Sequence, residues 1–419
     1  LGQWPGVPAL SSIVSVPVYG RGGVLHDTPG YRADTGLYID CSLTLGDTSP
    51  TGERIAWAKQ LLLVELMGDF PFLDDASRCH ALAYCLVPFV RDMIEGPVPP
   101  ILFDAPTEGT GKGLLLNALA YPALGRDAPT MADTNDENER RKAVTSQLIA
   151  GGTHITIDNI NDELNSGVYA NAWTQPIWDD RLLGVNRQVK IPNRMIWALT
   201  GNNVQLSREN TRRVLWCRLD ANMERPHTRP AEMFRHADLM AWVRDNRGDL
   251  VTACLILCRA WIDAGQPTYH GRSKGSYVAW AAVMGGIMGA VGVGGFLENE
   301  DQLFGHAVQD ADEMADFIVE WFARHGGDEV PVTKLFRLAS VSDDDGDNRV
   351  GDWLNLLGAK LTSSKQRGRQ QQLGRLLEAA RGRVYRGFKV TYCRVLRGEK
   401  LYRLEDKREE EAEVKTWTV

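Results

Sequence analysis

Of the 7 cysteines in this 419-residue chain, no two form a Cys-x-x-Cys pair. That argues against a zinc ribbon or a dithiol redox motif. Cys254 and Cys258 stand one helical turn apart in an apolar stretch and read as core residues rather than ligands. The scattered cysteines at 41, 79, 85, 217 and 393 fit a reducing compartment, and no signal-peptide pattern opens the sequence. There is no internal repeat. Charge is missing from the 21 residues 277–297, a length that could cross a bilayer. Six of those residues are glycines, however, and Gly292, Gly294 and Gly295 crowd one end. The helix expected there covers about residues 276–291, too short to span, so a buried glycine-rich helix and turn is expected, with no membrane partner. At 43% hydrophobic and 24% charged, the composition excludes a disordered chain, a collagen and a disulfide-held miniprotein. The length predicts two or three domains.

The net charge of −7 hides an asymmetry: residues 361–408 carry 14 Lys/Arg against 4 Asp/Glu, a local +10 that leaves −17 for the rest. Such a basic segment points to nucleic acid. Along the chain, residues 1–95 read as a mixed α/β domain. Short apolar runs and Gly/Pro turns come first, then helical patterns over 53–67 and 75–94, with Pro88 a candidate kink. From Pro100, strands and helices alternate. Strands are expected at 101–103, 129–132, 154–157, 195–199 and 214–219, and helices at 113–120 and 136–150. That alternation predicts an α/β core with a parallel sheet covered on both faces, here assigned to 96–225. Residues 226–310 read as a helical lid or linker, with Trp242, Leu250, Leu255 and Trp261 as core; 311–408 form a further domain and 409–419 an acidic tail.

The strongest chemical signal follows the first core strand: Ala105-Pro106-Thr107-Glu108-Gly109-Thr110-Gly111-Lys112-Gly113-Leu114. A strand, a glycine loop and a lysine opening a helix form the Walker A layout. The loop 106–114 would cradle phosphate oxygens at a helix N-terminus through the backbone N–H groups after Pro106, and Lys112 would reach the β- and γ-phosphates of ATP. Pro106 replaces the first expected glycine. Gly113 replaces the hydroxyl residue that ligates Mg²⁺, with Thr110 or water as candidate substitutes.

Thr153-His-Ile-Thr-Ile-Asp158-Asn159 has the Walker B layout, with Asp158 the candidate Mg²⁺ ligand. Asn159 takes the place of the usual glutamate. It can position a water but not accept its proton, so Asp162 and Glu163 are candidate bases. Met195-Ile-Trp-Ala-Leu-Thr200-Gly201-Asn202-Asn203 matches a sensor-1 strand with Asn202 at its polar end. Arg212 and Arg213, just before the strand at 214–219, stand where an arginine finger for a neighbour's site is expected.

This order resembles that of AAA+ ATPases. The stretches beginning at Gly68 (Gly-Asp-Phe-Pro-Phe-Leu-Asp-Asp-Ala), Asp104, Trp178 (Trp-Asp-Asp-Arg-Leu-Leu-Gly) and Leu199 (Leu-Thr-Gly-Asn-Asn-Val) are similar to bacterial phage and mobile-element AAA+ proteins of the primase-helicase type. Those are akin to superfamily-3 and MCM-like helicases, and the likeness covers about residues 10–405. The resemblance implies a homo-oligomeric ring, usually a hexamer, in the bacterial host cytoplasm, with ATP and Mg²⁺ at subunit interfaces. It also implies single-stranded DNA in the pore and a primase-polymerase as candidate partner. It further implies a pore hairpin before the sensor strand. Arg181-Leu-Leu-Gly184-Val-Asn-Arg187-Gln-Val-Lys190-Ile offers one, with Arg187 and Lys190 as DNA contacts.

The C-terminal segment reads independently as a winged helix: a basic helix over 365–380, then strand-like runs at 383–390 and 400–404. Arg367, Arg369 and Arg375 on the helix, with Arg386 and Lys389 at the wing, are the candidate duplex-DNA contacts. The leading reading is an ATP-driven helicase or translocase in DNA replication. Its rivals are a motor that loads or remodels a partner, and a DNA-binding initiator whose ATP site drives assembly. Gly113 and Asn159 favour the last.

Overall fold

The structure is a computed structural model that describes residues 8–160, 164–181, 188–223, 225–307, 309–339, 357, 366–382, 384–396 and 398–408. Short strands β1 (Ser12–Val14), β2 (Val18–Tyr19), β3 (Leu25–His26), β4 (Gly30–Arg32) and β5 (Leu37–Ile39) open the chain. Helix α1 (Gly52–Lys59) runs into a π-helical turn over Gln60–Leu66, and α2 (Asp75–Val90) follows, capped by Asp74 on the Ser77 N–H. Pro88 lies inside α2, two residues before its end, and a 3₁₀ turn takes over at Arg91.

The main sheet is built from β6 (Ile101–Ala105), β7 (Thr130–Ala132), β8 (His154–Ile160), β11 (Ile196–Asn202) and β12 (Leu215–Arg218), all parallel, in the order β12-β6-β11-β8-β7. Between them come α3 (Lys112–Leu124), α4 (Glu137–Ile149), α5 (Gly167–Thr174), the antiparallel hairpin β9 (Ile177–Arg181) and β10 (Gln188–Pro192), and the single turn α6 (Arg208–Thr211). Helices α7 (Leu239–Asp245), α8 (Arg247–Asp263), α9 (Val278–Ala290) and α10 (Glu300–Ala307) complete this unit, Leu1–Ala307.

Alternation along the strands sorts the core into two layers, as the pleat requires. Ile101, Phe103, Ile196, Ala198, Leu215 and Cys217 join one cluster, which also holds α2, α3, α8 and α9. Leu102, Trp197, Leu199 and Trp216 point into the other, with Val144 of α4, Trp173 of α5 and Trp178 of the hairpin. Residues from the N-terminal segment (Val16, Leu37) through to Leu297 share the first cluster, so the stretches before and after the sheet are two halves of one layer. The uncharged stretch is the buried helix α9, and among the described residues no helix is long and apolar enough to cross a membrane. Cys254 and Cys258 are core residues, and the Cys254 sulfur lies 3.8 Å from that of Cys85.

The second unit, Val308–Val419, contains α11 (Gln309–His325), β13 (Val330–Pro331), α12 (Val332–Ala339), α13 (Gln366–Ala380), β14 (Val384–Tyr385), β15 (Phe388–Leu396) and β16 (Glu399–Asp406). Its sheet is antiparallel in the order β13-β16-β15-β14, closed over Phe317, Trp321, Phe336, Leu373, Leu377 and Tyr402. Arg386 and Gly387 form the two-residue β14–β15 turn, both at positive φ (45° and 84°), as the tight hairpin turn with matching twist requires.

Candidate functional site

Parallel strands place all their carboxyl ends on one edge, where ligands of open α/β sheets bind. The register sets Ala105 of β6 beside Asn202 of β11 on that edge. The loop leaving β6 turns through Gly109 (φ 72°) and Gly111 (φ 99°). Gly111 caps α3 without any side-chain acceptor, so the first-turn N–H groups of Lys112, Gly113 and Leu114 are left for an external anion. A Cβ at Gly111 would also lie 3.3 Å from the Phe70 ring. Lys112 is half-buried and forms no ion pair among the described residues. Its ammonium donates to Asn202 Oδ1 at 2.6 Å and to the Thr107 carbonyl at 3.3 Å. Burial pulls its pKa below the ordinary lysine value, opposed by the Asp104 carboxylate.

Asp158 and Asn159 project from a bulge. β11 pairs Leu199 with Ile157 and Gly201 with Ile160, so two residues of β8 bow out and both are exposed. Thr200 fills the gap: its hydroxyl donates to Asp158 Oδ1 at 2.5 Å and accepts the Asn159 N–H at 2.9 Å. Asn159 sits at φ 56°, a left-handed conformation that asparagine tolerates better than glutamate does, which accounts for the residue found there. Thr200 and Asn202, two apart on one strand, thus face the same way. One grips the carboxylate and the other the lysine.

Beneath the loop lies a buried network. Asp104, 1% exposed, accepts from the Arg218 guanidinium, from Trp216 Nε1 (3.4 Å) and from the Val204 N–H (3.2 Å). Arg218 also donates to Asn203 Oδ1 at 2.6 Å, and the Asn203 N–H returns to the Ala105 carbonyl at 2.9 Å. Sequence reasoning missed Arg218 and Thr200. The available signal was Asp104, a charged residue inside an otherwise apolar buried strand.

Thr110 does not replace the hydroxyl missing at Gly113. It is fully buried, and its hydroxyl donates to the Thr107 carbonyl at 2.5 Å. The arginine pair divides. Arg213 is tied within its own chain to the Glu209 carboxylate (3.0 Å) and backbone (2.6 Å), while Arg212 is exposed with no side-chain partner among the described residues. Lys190, on β10, is exposed and lies 3.8 Å from Asp179. Arg187, Gly184, Asp162 and Glu163 lie outside the described residues.

On α13, Arg367 and Arg375 are exposed and Arg369 is half-buried. Arg386 pairs with Asp316 of α11, and Lys389 sits opposite Glu405. Both stand at the far end of the β15–β16 ribbon from its tip, which is formed by Leu396 and Glu399. Lys389 lies on the ribbon at its base, and Arg386 in the turn that leads into it. The turn at 386–387 joins β14 to β15, and the ribbon's free end carries Arg394, Val395 and Leu396 instead.

Among the described residues, no group of three or more His, Cys, Asp or Glu side chains could hold a metal ion. No protein-family model matches this sequence, and no curated protein matches it.

Proposed function

We propose that the chain is an ATP-dependent DNA translocase or helicase of the AAA+ type, from a phage or mobile element, acting as a ring, with a hexamer expected, in DNA replication. One observation carries the reading: at the carboxyl edge of a five-stranded parallel sheet, β11 holds Lys112 through Asn202 and Asp158 through Thr200, next to an uncapped helix N-terminus. The loop and first-turn N–H groups of 107–114 hold the phosphates, with Pro106 shaping the turn, and Lys112 exchanges its two neutral partners for phosphate oxygens. Freed of Lys112, the Asn202 amide orients the attacking water or the terminal phosphate. Arg212, exposed and without a side-chain partner among the described residues, serves a neighbouring subunit's site. The β9–β10 hairpin faces single-stranded DNA in the pore. The helix, short strand, helices and β-ribbon of the second unit support a winged-helix reading, with Arg367, Arg369 and Arg375 facing duplex phosphates. A forked-duplex strand-displacement assay with ATP tests this. Displacement that requires ATP hydrolysis is expected, and ATP turnover without displacement would refute the helicase.

A second reading has its own observation. With Gly113 in place of a hydroxyl and Asn159 in place of a base, the site suits slow turnover. On that reading the chain is a DNA-binding initiator or loader whose ATP site drives assembly.

A further inference from the structure

An ATP site normally recognises the nucleotide together with its Mg²⁺, and the protein's share of that recognition is a hydroxyl on the first helical turn after the lysine plus a carboxylate from the neighbouring acidic strand. This chain supplies only the second. Gly113 occupies the hydroxyl position, and a Cβ placed there meets nothing within 4 Å. The nearest alternative, Thr110, is sealed beneath the loop on the Thr107 carbonyl. Asp158 has one oxygen committed to Thr200, and it belongs to no group of three acidic, His or Cys side chains among the described residues. By contrast, the groups that bind phosphate directly are in place: two left-handed glycines, an uncapped helix start and a lysine with no carboxylate partner among the described residues. The residues present fit the triphosphate and do not fit a protein-held divalent cation.

We infer that this chain binds nucleoside triphosphate with little dependence on a divalent cation, and that Gly113 is the position that sets this property. The inference rests on the phosphate-loop reading above and deepens it. Its physical basis is simple. If the protein gives the metal no hydroxyl ligand, metal-bound and metal-free triphosphate present the same oxygens to the same N–H groups and to Lys112. A serine at 113 has room for its side chain and would add the missing oxygen.

The test uses the full chain and a fluorescent methylanthraniloyl derivative of β,γ-imido-ATP, titrated in excess MgCl₂ and in excess EDTA. For the unaltered protein the two dissociation constants should agree within about threefold, well under 1 kcal/mol. Gly113→Ser should bind at least about tenfold tighter in MgCl₂ than in EDTA, the scale on which metal-site groups act. Gly113→Ala, which adds the Cβ without the oxygen, should stay insensitive, separating ligation from crowding. A tenfold or greater loss of binding by the unaltered protein in EDTA would overturn the inference. So would a Gly113→Ser variant that folds normally and ignores the metal. If the probe binds in neither condition, or binds equally well to Lys112→Ala, the phosphate-loop reading itself falls.

Discussion

Replacing Arg218 with methionine removes one half of a buried ion pair beneath the glycine loop that follows β6. Asp104 would stay 1% exposed with its carboxylate facing a neutral side chain. Uncompensated buried charge of this kind costs about 3–5 kcal/mol. Two donors remain on Asp104, Val204 N–H and Trp216 Nε1, so the lower end, about 3 kcal/mol, is expected. The loss has a functional side as well. Arg218 holds Asn203, whose N–H fixes the Ala105 carbonyl where the loop begins, so the loop loses a support at its start. Urea unfolding followed by tryptophan fluorescence reads the first effect, since Trp216 lies in the network. Nucleotide titration at low temperature, where the variant remains folded, reads the second and should show weaker binding. Combining Arg218→Met with Asp104→Asn should recover at least half of the lost stability, because the double variant buries no charge at either position. An Arg218→Met protein that unfolds at the wild-type urea concentration and binds nucleotide normally would refute this reasoning. So would a double variant as unstable as the sum of the singles.

Other predictions concern individual side chains. His80 is fully buried, with Nδ1–H donating to the Trp216 carbonyl at 2.7 Å and Nε2 accepting the Leu297 N–H at 3.0 Å, and burial pulls its pKa down to about 4. Because the unfolded chain takes up this proton first, the contribution is complete above about pH 6.5 and lost towards pH 4, about 3 kcal/mol in all. Unfolding curves across that window should therefore steepen in acid for the wild type and less so for His80→Gln; equal slopes would contradict it. Mixing Arg212→Ala subunits with Lys112→Ala subunits should restore part of the ATPase activity that each lacks alone. Arg213→Ala should instead act within its own chain, by breaking the ion pair with Glu209; a failure of every mixture to recover activity counts against a shared site. Arg367→Ala with Arg375→Ala should make the log–log salt dependence of duplex-DNA binding shallower by about 1–2, at roughly 0.9 for each phosphate no longer neutralised; an unchanged slope means that α13 does not meet DNA.

Local chemistry was readable in the sequence where neighbours along the chain determine it. The strand-loop-helix turn after β6 could be read because Gly109, Gly111 and Lys112 carry their geometry with them. The buried strands β6 and β11 could be read from unbroken apolar runs, and α9 from the glycine crowding that ends it. What could not be read depends on partners far apart in sequence. Arg218 meets Asp104 across 114 positions, and Thr200 meets Asp158 across 42. The bulge that exposes Asp158 and Asn159 is a register difference between two strands, invisible in either alone. The same holds for Arg386: a basic residue beside Gly387 reads as a free wing contact until α11 brings Asp316 to it. The sharing of one core layer by Val16, Leu82 and Leu255 likewise has no local signature, since an apolar segment does not specify which distant segment it packs against.

ATP turnover by the purified chain, with and without DNA, measured side by side with Lys112→Ala, tests the central claim most directly. Hydrolysis by the wild type should be accelerated by DNA. Lys112→Ala should show none above background, with its circular dichroism and unfolding curve unchanged. Equal turnover in the two proteins would contradict the assignment of Lys112 to a nucleotide site.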